Sequence, residues 1–176
     1  TSSDSDYTVQ FAVCVPALFG DLYKVTDIVE FIEVNRALGA GLFVIYVESV
    51  DRQLQACLEA YSRRGLLQLQ SYSVPSELSS HVHYHGQIIA MNDCPYRLMH
   101  TAKYVLSQDL DEFVVPTIAP NWTTMIEQIH QSYPNSSVES TASYSFRNRF
   151  FRLQAPEYST YQGNSYIDSL KRYNFR

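Results

Sequence analysis

Cysteine is scarce in this chain, with three among 176 residues: Cys14, Cys57 and Cys94. No two of them form a CxxC element, and three scattered thiols cannot build a disulfide framework or a zinc site. Buried apolar thiols are the first expectation, and one disulfide plus a free cysteine the second. No apolar run approaches the roughly 18 residues that a membrane helix needs. Thr1 to Asp6 holds neither a basic n-region nor an apolar h-region, so no signal peptide is visible there. The chain does not begin with Met, which leaves room for a leader or anchor ahead of it. Positive charge is also short. Thirteen Lys+Arg stand against 18 Asp+Glu, a net −5, which argues against a nucleic-acid binder that relies on bulk positive charge.

What remains is ordinary globular material: 45% hydrophobic and 18% charged residues, in a chain long enough to bury a core without staples. One domain over 1–176 is expected. The end at Tyr173-Asn174-Phe175-Arg176 shows no sign of a finished domain, so the expected domain is truncated at its C-terminus. Two sequons, Asn121-Trp122-Thr123 and Asn135-Ser136-Ser137, lean toward the secretory pathway.

Segments alternate along the chain. Gln10 to Val15 is short, apolar and β-branched, and ends at Pro16: a buried strand. Asp21 to Leu38 places Leu22, Val25, Val29 and Ile32 at helical spacing and stops at Gly39. Leu42 to Val47 is a second apolar strand. Gln53 to Arg64 carries Leu54, Cys57, Leu58 and Tyr61 on one helical face, with Gly65 after it. Leu66 to Ser71 reads as a third strand and Ser73 to Tyr84 as a loop. His85 to His100 is helix-like, but Pro95 predicts a kink or break there, with Asp93 as an N-cap. Tyr104 to Ser107 is a fourth strand, Thr123 to Tyr133 an amphipathic helix, and Ser143 to Phe146 a later strand. Apolar strands alternating with helices predict an α/β fold with a mainly parallel central sheet and helices on both faces. Ligands in such sheets bind at the carboxyl ends of the strands. That directs attention to Pro16–Gly20, Glu48–Asp51 and Gln108–Glu112.

The last of these carries the most chemistry. Asp109, Asp111 and Glu112 fall within four residues, bracketed by Tyr104-Val105-Leu106 and Phe113-Val114-Val115. In an extended chain Asp109 and Asp111 point to the same side. Two adjacent carboxylates repel, more so when buried, and a divalent cation removes the conflict. Oxygen ligands suit Mg²⁺, Mn²⁺ or Ca²⁺, with open positions left for phosphate oxygens. A solvated acidic turn is the bland alternative.

The segment Gln87-Ile88-Ile89-Ala90-Met91-Asn92-Asp93-Cys94, then Arg97, then Lys103-Tyr104-Val105 and Asp109-Leu110-Asp111-Glu112-Phe113-Val114-Val115-Pro116, resembles glycosyltransferase family 92. So does Phe31 to Gly39, followed by the strand ending Tyr46-Val47-Glu48-Ser49. The resemblance spans roughly Ala12 to Phe151. It implies a GT-A-like, Rossmann-type fold and an inverting, metal-dependent transferase. That enzyme would move a hexose, galactose by resemblance, from a UDP-sugar donor to a glycan acceptor with the help of Mn²⁺. The same resemblance implies that Asp109 and Asp111 hold the metal and the donor's ribose–diphosphate, and that Asp93 and Arg97 lie near the donor. The expected location is the Golgi lumen, with any membrane anchor outside this chain.

Inversion needs a carboxylate to take the acceptor's proton, and no residue here is assigned that role. Glu112, on the opposite face of an extended strand, reads as structural. His81, His83 and His85 alternate like zinc ligands but sit in a polar loop without Cys. Glu48 and Asp51 end a strand where an acid can bind ribose or uracil, or where Asp51 caps the next helix. Arg97 pairs either with phosphate or with Asp93, four residues away. Arg147, Arg149 and Arg152 face phosphate, an acidic glycan or solvent. Trp122 reads as a partly buried anchor. Two other functions fit a strand followed by DxD. One is a phosphohydrolase with Asp109 as nucleophile and Asp111 as acid. The other is a non-catalytic sugar-nucleotide or glycan-binding module.

Overall fold

A computed structural model describes residues 7–20, 22–79, 81–133 and 141–150. Two compact units divide at Phe113 and Val114. The first is built on a four-stranded sheet of β1 (Val9–Leu18), β2 (Ala40–Val47), β3 (Leu67–Ser71) and β4 (Ala102–Ser107), in the order β3-β2-β1-β4. All three pairings are parallel. The helices between the strands are α1 (Val25–Leu38), α2 (Arg52–Arg63), the single turn α3 (Ser76–Ser79) and α4 (Gln87–Leu98). This is the α/β arrangement with a parallel sheet that the alternating segments predict, and it is consistent with a GT-A-like Rossmann fold.

The strands read as continuous apolar runs because both faces are covered. On one face Ala12 and Cys14 of β1, with Leu42, Val44 and Tyr46 of β2, pack with Ala90, Cys94 and Leu98 of α4. On the other, Phe43 of β2 meets Phe31 of α1 edge to face at 6.2 Å, and Phe31 lies 5.7 Å from Phe113. The strand period of two sorts odd from even residues between these layers.

β1 departs from the expected end at Pro16. It runs on to Leu18, and its register against β2 shifts between Val15 and Leu18. Proline has no N–H for the ladder, so it is tolerated here at an irregularity rather than by stopping the strand. The shift reverses the alternation: Ala17, an odd residue, joins even-numbered Ala12 and Cys14 on the α4 face.

α1 starts later than its apolar spacing predicts. Leu22 precedes it and is 66% exposed, and Val29 lies at the surface. The buried stripe is instead Ile28, Phe31, Ile32, Asn35 and Leu38. Asp27 sets the start by accepting the Lys24 backbone N–H at 2.8 Å. α2 matches its predicted face, with Leu54, Leu58 and Tyr61 buried. Pro95 does not end α4, which continues to Leu98, and Asp93 lies inside the helix rather than at its cap. Packing of Ala90, Cys94 and Leu98 against the sheet outweighs the one backbone hydrogen bond that proline removes.

The cysteines follow the second expectation. Cys14 of β1 and Cys94 of α4 form a disulfide, and Cys57 is free. In the second unit, α5 (Trp122–Ser132) is capped by Asn121, whose side-chain oxygen accepts the Thr124 N–H at 2.9 Å. Trp122 is fully buried, more than the partial burial expected, and its indole N–H donates to the Val114 carbonyl at 2.7 Å. The strand predicted at Ser143 to Phe146 does not form: 141–150 is neither helix nor strand.

Candidate functional site

The chain builds β1, β2 and β3 outward in one direction and then crosses to place β4 on the other side of β1. The direction reverses between β1 and β4, and the crevice at their carboxyl ends is where open α/β sheets bind ligands. β4 delivers the acidic triplet to that point. The Gln108 N–H bonds the Cys14 carbonyl at 3.0 Å, the last rung against β1.

Beyond it the chain is not extended, as the sequence reading assumes, but turns. The Glu112 N–H reaches the Asp109 carbonyl at 3.0 Å, closing a four-residue turn. Leu110 is buried while Asp109, Asp111 and Glu112 are exposed. Leu110 anchors the turn from beneath, and the three carboxylates are left at the surface around it. Glu112 is not carried to an opposite face. Burial, then the charges of Glu112 and Asp111, push the Asp109 pKa up. Although Asp109 is exposed as a residue, its carboxyl is thus partly withdrawn from water. Gln87, the first residue of α4, donates its side-chain N–H to Asp109 Oδ1 at 3.1 Å. The charges of the pair also reach Tyr23, whose pKa is raised by burial first and then by Asp109 and Asp111.

The approach to Gln87 is a left-handed turn within the 3₁₀ segment His83–Gly86. Tyr84 (φ 45°), His85 (φ 50°) and Gly86 (φ 69°) are consecutive. A left-handed residue with a Cβ costs on the order of 1–2 kcal/mol, so Tyr84 and His85 are strained. Three strand ends hold the turn. The His85 ring stacks on Phe19, just past β1, with centroids 3.9 Å apart. Its Nδ1 lies 2.8 Å from Glu48 Oε2, just past β2. That oxygen is buried and the pair is out of hydrogen-bond alignment. Tyr72, past β3, donates its hydroxyl to the Gly86 carbonyl at 2.8 Å. A Cβ on Gly86 would fall 2.2 Å from that hydroxyl oxygen, so only glycine fits.

Asp93 and Arg97 are brought together with each other, further along α4 than Gln87. At 1.5 Å per residue they lie about 9 Å and 15 Å along α4 from Gln87. Asp93 accepts the Tyr46 hydroxyl of β2 at 2.5 Å and also the Arg97 Nε–H. Those two bonds hold its carboxyl below the usual range. Burial and Asp93 push the Tyr46 pKa up to about 12.

Asp51 takes the capping role, accepting the Gln53 and Leu54 N–H groups at 2.6 and 2.9 Å. His85 pairs with Glu48, and no cluster of three metal-ligating side chains occurs among the described residues. Arg147 and Arg149 are exposed; Arg152 and the Asn135 sequon lie outside the described residues. Sequence reasoning named Gln87 only as part of a motif, missed Tyr23, and named Glu48 and His85 separately without the contacts that join His85 to Glu48 and Phe19. Gly86 after two bulky residues was the available signal.

For a cation the acid pair offers two carboxylates on a tight turn, and no Lys or Arg pairs with either among the described residues. That donor set fits a hard divalent ion whose remaining positions are filled by water or phosphate.

The sequence profile of glycosyltransferase family 92 matches residues 9–176. The chain is 34% identical over 137 residues to a beta-1,4-galactosyltransferase of Caenorhabditis elegans, galt-1, covering 77% of this chain and 32% of that protein. It is 24% identical over 145 residues to a glycosyltransferase family 92 protein of the same organism, covering 77% of this chain and 28% of that protein. The chain thus spans about a third of the length of the curated relatives it matches. With the profile extending over nearly all of its length, the chain belongs to glycosyltransferase family 92.

Proposed function

We propose that this chain carries the donor-binding part of a glycosyltransferase that moves a hexose, galactose by analogy with its relative, from a UDP-sugar to a glycan acceptor with inversion. The observation that carries the reading is the Asp109–Asp111 turn at the β1/β4 reversal point. Asp109 and Asp111 would hold Mn²⁺ or a similar divalent ion. Such an ion, when bound, supplies Lewis-acid neutralisation of the departing diphosphate. The chain's own part is preorganisation: Gln87 orients Asp109 and buried Leu110 anchors the turn. Asp93 and Arg97, expected near the donor, also brace α4 against Tyr46. No acceptor-side base is assigned. An oxidising, secretory location, the Golgi lumen by expectation, is supported by the Cys14–Cys94 disulfide and the Asn121 sequon.

The test is Mn²⁺-dependent UDP binding and UDP-hexose turnover by the intact protein. Asp109→Asn and Asp111→Asn should each lower both by at least about tenfold, the scale of losing a charged partner. Unchanged binding and turnover in both variants would overturn the reading. Mn²⁺-dependent UDP binding without any turnover would identify a binding module instead.

A further inference from the structure

We infer that His85 is a positioning residue for the Asp109 carboxylate, acting through the left-handed turn that it locks against Phe19 and Glu48. The inference rests on the reading of Asp109 given above and goes beyond it by naming what sets its geometry.

Four strand ends meet through this one turn. Phe19 follows β1, Glu48 follows β2, Tyr72 follows β3, and the turn hands Gln87 to Asp109 after β4. Left-handed backbone at two bulky residues does not persist by its own preference and needs outside restraint. Tyr72 restrains the carbonyl of Gly86, and His85 is the side chain within the turn that is clamped twice, by a ring stack at 3.9 Å and by the Glu48 carboxylate at 2.8 Å. Gln87 is two residues further on. If His85 lets go, the turn relaxes toward right-handed backbone and the first residue of α4 swings with it. The 3.1 Å bond to Asp109 Oδ1 is then the contact that breaks. Outer partners of this kind fix the orientation of a ligating carboxylate, and their loss typically lowers metal affinity 10- to 100-fold.

A bland role, in which His85 merely packs a loop, predicts something different. Its loss would lower stability without acting through Asp109. A double-mutant cycle separates the two. The measured quantity is the affinity of the intact protein for Mn²⁺ in the presence of UDP, read from the free Mn²⁺ paramagnetic resonance signal, with thermal unfolding recorded alongside. His85→Ala should weaken Mn²⁺·UDP about tenfold. In the Asp109→Asn background the same change should add less than about twofold, because the bond it acts through no longer matters. Glu48→Gln, which keeps a polar partner for His85, should lose less than His85→Ala. Phe19→Leu unstacks the ring without touching the turn's own residues and should also weaken binding, so the outcome does not hang on how His85→Ala folds. If Asp109→Asn itself leaves affinity unchanged, the functional reading fails. If Asp109→Asn weakens binding but His85→Ala and Phe19→Leu do not, or if the losses simply add, that reading stands and the positioning role of His85 is refuted.

Discussion

The Tyr46 hydroxyl donates to Asp93 across the layer between β2 and α4, and both groups are changed by it. Tyr46 is 4% exposed, so Tyr46→Phe leaves Asp93 with Arg97 alone. We expect a loss of about 1–2 kcal/mol in urea unfolding with Mn²⁺·UDP affinity unaltered. The pH dependence follows from the direction of the Asp93 shift, which is downward, caused first by Tyr46 and then by Arg97. A carboxyl with a depressed folded pKa stabilises the fold above its unfolded pKa, about 3.9. That contribution fades as pH falls through the lower folded value. The stability gap between the native protein and Asp93→Asn should therefore be flat above about pH 5 and narrow below about pH 4. A gap that instead widens toward acid in urea titrations would contradict this assignment. Asp93 and Arg97 at i and i+4 were legible as a pair. Their partner was not, because Tyr46 is 47 residues away in sequence and only the sheet brings it under α4.

Among elements, the helix faces and caps were the most legible features. Asp51 two residues before Gln53 is an N-cap signal, and it caps α2 through two N–H groups. Asp51→Ala should cost about 1 kcal/mol of stability and leave nucleotide binding intact. A selective loss of UDP affinity would restore the reading of Asp51 as a ribose or uracil contact. The elements misjudged from sequence share a cause. Pro16 and Pro95 are local breaking signals, yet β1 and α4 both continue through them. A central strand and a helix buried against it are stabilised by packing that outweighs one missing hydrogen bond. The start of α1 was misplaced because Leu22 fits a helical spacing that the Asp27 carboxylate, at the Lys24 N–H, cuts short. The left-handed turn at Tyr84–Gly86 straddles the end of a stretch read as loop and the start of the helix expected from His85. Its conformation is imposed by three strand ends, not by the residues of the turn.

At the scale of the molecule, the disulfide closes a separation of 80 residues and ties β1, the centre of the sheet, to α4. Loop-closure entropy puts its contribution at about 4.5 kcal/mol, a large share of a domain's net stability. Cys14→Ala with Cys94→Ala should lower the urea midpoint by a corresponding amount. Both cysteines are buried, 2% and 0% exposed, so reductant should act only as the fold opens. Reduction at full speed under native conditions would contradict that. By itself the amino-acid sequence determined the layer order: apolar strands with period two, helices with one apolar stripe, and an acid pair at the end of the fourth strand. These follow from local periodicity and the burial it demands. Tertiary structure alone decided which cysteines join, which tyrosine meets Asp93, and how a strained turn sets Gln87 on Asp109. Each of those depends on residues 14 to 80 positions apart, whose distance in space is set only once the sheet has ordered its strands.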